Sequence, residues 1–79
     1  MEKATSMDKL GQLIMQKVYY NRDLKVNLTP KEYDSCNKLV IFQAVSTDGK
    51  GKPFRYTSHV KDIQRRIDSS IIAPIALVG

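Results

Sequence analysis

The stretch that most constrains the fold is an apolar run followed by a turn signal. Residues 39–45, with the sequence LVIFQAV, are rich in β-branched and aromatic side chains, which favour a strand. Asp48-Gly49 follows, and this dipeptide is typical of hairpin turns. The pattern therefore predicts a β-hairpin in which residues 39–45 pair with residues 54–57 across a flexible tip.

The same segment also fits the period of a helix. Four side chains spaced three or four residues apart would share one helical face, namely Tyr33, Cys36, Val40 and Ala44. In this alternative a helix that starts at Pro30 continues to Ala44, and the fold is winged-helix-like. A short apolar run fits both periods, so the alternative stays open, but the β-branched residues and the Asp-Gly turn favour the strand.

Further elements are predicted on the N-terminal side of the hairpin. A capping-box sequence at residues 5–8 is followed by apolar residues with helical period, which predicts a helix over residues 6–20. Apolar and polar residues alternate over residues 24–28, as in a half-buried strand. The sequence TPKE then signals the start of a short helix over residues 30–37.

A last helix is predicted on the C-terminal side of the hairpin. Thr57 or Ser58 can cap it, and Pro74 prevents it from continuing. Its apolar stripe consists of Val60, Ile63, Ile67 and Ile71. The predicted order is α-β-(short α)-β-β-α. This is an α+β fold with a small antiparallel sheet of about three strands and a helix at each end of the chain.

Length and cysteine content restrict the class of protein. The 79 residues predict a single small domain, 1–79, which buries only about 60% of the surface of its unfolded chain. Such a thin core favours completion by a second copy or a partner protein. Cys36 is the only cysteine, so no internal disulfide can form, which favours a reducing, cytoplasmic location. We recognise no secretory signal and no apolar segment of the about 20 residues that span a bilayer.

Positive charge is concentrated in one part of the sequence. Between Thr47 and Arg66 there are six basic and two acidic residues, so this segment carries +4 of the net charge of +5. The basic residues are Lys50, Lys52, Arg55, Lys61, Arg65 and Arg66. A hairpin tip beside the last helix would join them into one positive surface, which attracts polyanions. The alternative is a solvated face that only keeps the chain soluble.

These charges predict a small, basic, non-catalytic module that binds nucleic acid, with RNA or single strands favoured, mainly through phosphate contacts. Tyr19 and Tyr20, close to Arg22, are candidates for stacking on bases, although tyrosines at helix ends more often pack their rings. His59 is the only histidine, and neither it nor Cys36 has a second ligand at zinc spacing. We therefore expect no metal site, no cofactor, no small-molecule substrate and no enzymatic activity.

The C-terminal tail, residues 71–79, suggests a different function. It carries no charge, and its apolar residues are Ile71, Ile72, Ile75, Leu77 and Val78, together with alanine and proline. An exposed apolar segment is typical of a protein-interaction surface. The alternative is therefore a protein-interaction module that uses this tail, such as a small viral or phage effector or a subunit of a larger assembly. In either case a homo-oligomer, such as a dimer, or a protein partner is expected.

Overall fold

The computed structural model describes the backbone of residues 2–78 and the side chains of residues 7–78. In chain order its elements are α1 (Glu2–Ile14), β1 (Lys17–Asn21), β2 (Val26–Asp34), β3 (Leu39–Ser46), β4 (Phe54–His59), α2 (Val60–Asp68) and β5 (Ile72–Leu77). The strands form one antiparallel sheet in the order β4-β3-β2-β1-β5. The α+β class is confirmed. The predicted architecture is wrong, because the sheet has five strands and the order of elements is α-β-β-β-β-α-β.

The hairpin predicted after residue 39 is confirmed. β3 and β4 pair antiparallel from Leu39 opposite His59 to Ala44 opposite Phe54. Gly49 of the Asp-Gly turn has a φ of 76°, which other residues adopt only at a cost. The alternatives that depended on a helix here, the continuous helix over residues 30–44 and the winged-helix-like fold, are therefore wrong.

The first helix is shorter than its apolar pattern predicted. It spans Glu2–Ile14 rather than residues 6–20, and the side chain of Thr5, the predicted cap, lies outside the described side chains. Residues 17–21, KVYYN, form β1 instead. Val18 lies four residues after Ile14 and so mimicked a further helical turn. Pairing of β1 with β2 on one side and β5 on the other outweighs that spacing.

The short helix predicted over residues 30–37 is also wrong, because β2 runs through Pro30 to Asp34. Lys25 and Thr47 lie opposite each other, and the Thr47 amide donates to the Lys25 carbonyl. Hydrogen-bonded and non-hydrogen-bonded pairs alternate along antiparallel strands, so Pro30 and Phe42 form a non-hydrogen-bonded pair. The nitrogen of Pro30 therefore points away from β3. The pairing of β2 with β1 ends at Leu28, so Pro30 removes no ladder bond there. The register then shifts between Pro30 and Glu32, which leaves Lys31 as a bulge.

The second helix begins later than predicted. His59, rather than Thr57 or Ser58, caps α2, and its Nδ1 accepts from the Lys61 amide at 3.1 Å. The helix ends at Asp68, so Ile71 lies outside the helix and only the first three residues of the predicted stripe are helical. Ser70 turns the chain with a φ of 66°. The predicted tail is an edge strand, because β5 pairs with β1 from Ile72 opposite Asn21 to Leu77 opposite Lys17.

Both helices pack on the same face of the sheet. The core joins Ile14 of α1 and Ile63 of α2 to alternate residues of the strands. Those strand residues are buried and include Tyr19, Val26, Leu28, Val40, Phe42, Ala44 and Ile72. The side chains between them point to the opposite face, which we call the open face. No helix in residues 2–78 is long and apolar enough to cross a membrane.

Close contact with Tyr33 holds α1 on the covered face. A Cβ at Gly11 would lie 2.6 Å from the Tyr33 ring, so only glycine permits this approach. Asp8 Oδ1 accepts from the Tyr33 hydroxyl at 2.7 Å and from Lys38 Nζ at 2.9 Å. The Lys38 and Tyr33 hydrogen bonds lower the pKa of Asp8. Burial, with the Asp8 hydrogen bond, raises the pKa of Tyr33 to about 12.

Candidate functional site

The open face carries two rows of side chains that cross the strands. In the first row Tyr20 of β1 lies opposite Asn27 of β2, which in turn lies opposite Val45 of β3. On its other side Tyr20 lies opposite Ala73 of β5. Residues directly opposite in antiparallel strands have Cβ atoms about 4.5–5.5 Å apart. The row therefore places one aromatic ring between a side-chain amide and a small methyl group.

Strand alternation separates the two tyrosines that the sequence had grouped. Tyr19 points into the core with 3% of its surface exposed, and its ring meets Phe42 edge-on, with centroids 6.1 Å apart. Burial also raises the pKa of its hydroxyl. Because neither face of the Tyr19 ring is accessible, it is not a stacking residue. Tyr20 points to the open face and is half-buried there.

The second row is polar and spans three strands. Gln43 of β3 lies opposite Thr29 of β2 and opposite Arg55 of β4. Between described side chains the structure shows no hydrogen bond that uses the Gln43 amide or the Arg55 guanidinium. Both groups therefore present their donors to solvent or to a ligand.

A depression of about 240 Å³ lies beside the second row, at the Lys31 bulge. Its lining combines two apolar residues with charged and amide groups, namely Lys31, Glu32, Ile41, Phe42, Gln43 and Arg55. Polar groups around an apolar floor are typical of a site that orients a flat, partly apolar group.

One end of the sheet is rich in cations, and we call it the cationic end. The β1–β2 turn and the β3–β4 tip meet there, because Thr47 N and Oγ1 each donate to the Lys25 carbonyl at 3.3 Å. The turn and the tip together hold four basic and two acidic residues: Arg22, Lys25, Lys50, Lys52, Asp23 and Asp48. All six are exposed. The Ser46 hydroxyl and the Lys50 amide lower the pKa of Asp48, so its carboxylate is engaged within the tip.

The six basic residues predicted as a binding surface lie on three parts of the molecule. Lys50 and Lys52 belong to the cationic end, and Arg55 is on the open face. The other three belong to α2, on the covered face, namely Lys61, Arg65 and Arg66. The six residues of β4 span about 20 Å and separate the tip from the start of α2. The hairpin tip therefore lies at the opposite end of β4 from the start of α2.

Two of the α2 cations have partners within the chain. Arg65 Nη1 lies 3.5 Å from Asp62 Oδ1, and Arg66 Nη1 donates to Ser58 Oγ at 3.4 Å. Among described side chains the other ion pair joins Lys38 and Asp8, so neither pair involves the cationic end or the open face. Sequence reasoning missed Lys25, because its place beside the tip depends on pairing between distant segments.

The predicted interface residues of the tail differ in exposure. Ile72 is in the core at 1% exposed and Ile71 is half-buried, whereas Ile75, Leu77 and Val78 are 53%, 74% and 49% exposed. Gly79, the last residue of the predicted tail, lies outside the described residues. An apolar groove of about 230 Å³ lies beside this edge. It is lined by Leu10, Leu13, Ile14, Lys17, Tyr19, Gln64, Ile67 and Pro74.

Pro74 shapes the free edge of β5. The Arg22 amide donates to the Ile71 carbonyl, and the register continues to Tyr19 opposite Pro74. Because hydrogen-bonded and non-hydrogen-bonded pairs alternate, Tyr19 and Pro74 form a non-hydrogen-bonded pair. The nitrogen of Pro74 therefore points away from β1, toward the free edge. The edge therefore lacks one donor, and the register shift that follows interrupts the strand further.

Chemical groups for catalysis or metal binding are sparse. Among the described side chains, those of residues 7–78, no group of three or more His, Cys, Asp or Glu residues is placed to hold a metal ion. Cys36 is exposed in the β2–β3 turn, and His59 uses Nδ1 to cap α2.

No protein-family model, no curated protein and no solved structure matches this chain. The geometry of the open face and the cationic end therefore carries the functional argument.

Proposed function

We propose that this chain is a small, non-catalytic module that binds nucleic acid through phosphate contacts at the cationic end. The observation that carries the proposal is the position of Lys25, Lys50 and Lys52 at one end of a sheet face that no helix of residues 2–78 covers. Lysine binds phosphate as a point charge and makes few demands on geometry, which suits an exposed tip.

Charge on this side of the molecule supports the proposal. The open face adds Lys31, Glu32, Asp34 and Arg55 to the cationic end, giving six basic and four acidic residues, or +2 of the net charge of +5. An excess of this kind draws a polyanion toward the sheet and makes binding dependent on salt.

The test compares two double variants that remove the same charge from different places. Lys50→Gln with Lys52→Gln changes the cationic end, and Lys61→Gln with Arg65→Gln is the matched control on α2. Affinity for a labelled 20-nucleotide single strand is measured by fluorescence anisotropy across a salt series. Each phosphate contact contributes about 0.7 to the slope of log affinity against log salt, so the first pair should reduce the slope by about 1.4.

The control pair should leave that slope nearly unchanged. Equal losses from both pairs would show that binding follows net charge and not the cationic end. Failure of the unmodified chain to bind at low salt would refute the proposed function altogether.

A second candidate is a protein-interaction module that uses β5. The observation that favours it is an uncharged edge strand in which Ile75 and Leu77, with Val78 directly after the strand, are about half or more exposed. Analytical ultracentrifugation of Leu77→Glu tests it, with Leu24→Glu in the β1–β2 turn as the control, since Leu24 is also 51% exposed. Loss of self-association in Leu77→Glu alone would support this candidate. A monomeric unmodified chain would show that β5 does not mediate self-association.

A further inference from the structure

We propose that the open face binds unstacked bases and so gives this chain a preference for single strands over duplexes. The inference rests on the proposed function and adds the class of ligand. In it, Tyr20 stacks on one base, and Gln43 with Arg55 bonds the edge of another. The cationic end then holds the phosphates that connect them.

Tyr20 is placed as a stacking platform. Its strand lies between β2 and β5, so the ring projects from the interior of the sheet and not from an edge. Its neighbour on one side, Ala73, is too small to cover the ring, and on the other side Asn27 offers an amide. A base that stacks on an aromatic side chain in a single-strand site gains binding without demanding a particular sequence.

Gln43 and Arg55 supply hydrogen bonds at a suitable distance. They are directly opposite each other, so their Cβ atoms lie about 4.5–5.5 Å apart and both end groups can reach the same base. The Gln43 amide offers donors and an acceptor, and the Arg55 guanidinium offers five donors, so both match the exposed edges of unpaired bases. The depression beside them, with Ile41 in its lining, accommodates an apolar base face.

The two rows have the spacing of a short single strand. Tyr20 on β1 and Arg55 on β4 are three strand positions apart, which is about 14 Å at the spacing of neighbouring strands. Sheet faces that bind RNA hold about two or three bases over such an area. The Tyr20 row is the nearer of the two to the cationic end. Tyr20 and Asn27 are each one residue from the pair Asn21 and Val26, which flanks the β1–β2 turn.

A duplex does not fit this arrangement. Its bases are stacked on one another, and their edges lie in grooves that a broad, flat sheet cannot enter. A duplex can therefore reach only the cationic end, whereas a single strand can use the cationic end and the open face together. The preference for single strands should come from the bases and not from the phosphates.

The experiment uses three labelled probes with the same number of phosphates per strand: a single-stranded oligonucleotide, its abasic counterpart and a duplex. We expect the unmodified chain to bind the base-containing single strand about tenfold more tightly than the abasic strand, which is within the contribution of one stacked base. Tyr20→Leu should remove most of that difference, and Tyr20→Phe should keep it. Circular dichroism shows whether each variant is folded.

NMR of the unmodified chain provides a readout that does not depend on any variant. Stacking should shift the ring protons of Tyr20 when the single strand is added, whereas those of Tyr33, on the covered face, should not move. Equal affinity for the base-containing and abasic strands, with steep salt dependence, would overturn this inference and leave phosphate binding intact. Binding of none of the probes would refute the proposed function itself, and a duplex bound as tightly as the single strand would also overturn the inference.

Discussion

The two faces of the sheet differ in how much the fold depends on them. On the covered face, Phe42 is 1% exposed between two aromatic rings, and α1 approaches so closely that Gly11 admits no side chain. On the open face, one residue along the same strand, Gln43 makes no hydrogen bond to another described side chain and borders a shallow depression. The comparison teaches that stability and the proposed binding belong to opposite faces, so substitutions should separate them.

The largest effect is expected for Phe42→Ala. Removing a buried phenylalanine costs about 3–5 kcal/mol, because the transfer free energy is lost and a cavity remains. For a chain of this size the loss is a large part of the free energy of unfolding. Urea denaturation followed by circular dichroism measures it. Gln43→Ala is the matched control on the open face, where we expect a change within about 0.5 kcal/mol. Similar losses in both variants would contradict the division between the faces.

Gly11→Ala should be the next largest. Alanine in a helix interior is normally more stable than glycine by about 0.5–1 kcal/mol. Here the added Cβ would meet the Tyr33 ring at 2.6 Å, so we expect destabilisation by about 1–3 kcal/mol, as in other overpacked cores. The sign of the change in the free energy of unfolding is therefore diagnostic.

A second substitution tests the cause of that strain. Tyr33→Val removes the ring, so Gly11→Ala should cost less in the Tyr33→Val background than in the unmodified chain. A stabilising Gly11→Ala in the unmodified chain would show that α1 does not approach the sheet this closely.

The contact between Asp8 and Tyr33 should make stability depend on pH at both extremes. The pKa of Tyr33 is raised to about 12 in the folded chain from an ordinary 10.0, so its contribution is complete below pH 10.0 and is lost as the pH rises toward 12. The pKa of Asp8 is lowered from an ordinary 3.8, so its contribution is complete above that value and is lost as the pH falls below it.

Unfolding midpoints of the unmodified chain, Tyr33→Phe and Asp8→Asn across the pH range measure this dependence. Tyr33→Phe should flatten the alkaline limb, and Asp8→Asn should flatten the acid limb. Unchanged profiles in both variants would show that these groups do not couple α1 to the sheet.

The smallest effect on stability is expected for Arg55→Gln, a substitution on the open face that tests whether binding and stability depend on different faces. Arg55 is exposed on an edge strand, so the free energy of unfolding should change by less than about 0.5 kcal/mol. Affinity for the single-stranded probe should nevertheless fall, since the variant loses a cation that borders the depression. A variant that loses stability but binds normally would reverse the roles assigned to the faces.

The sequence predicted what local signals determine and missed what distant pairing determines. The β3–β4 hairpin was predicted because its β-branched run and its Asp-Gly turn act over a few residues. β1 was missed because its residues continue the helical spacing of α1. The strand predicted over residues 24–28 covers only the start of β2, because Pro30 resembles a helix start. In both cases neighbouring strands from elsewhere in the chain decide the conformation.

The site shows the same division. Lys50 and Lys52 were correctly placed on a hairpin tip, since that tip is local. The choice between Tyr19 and Tyr20 depends on which face of β1 meets the helices, and this requires the whole sheet. Lys25 joins the cationic end only because β2 pairs with β3 at Ser46. Periodicity within one segment cannot show such a neighbour.

Pro74 has a consequence for how copies of this protein behave when concentrated. An uncharged outer strand is a template on which further chains can add without limit, as in fibrils. Pro74 has no N–H to donate to an added strand at the middle of β5. The register shift next to it also disrupts the alignment of the residues that follow. Continued addition of strands at this edge is therefore disfavoured, although its side chains are apolar. The protein can keep an apolar edge strand without nucleating aggregation.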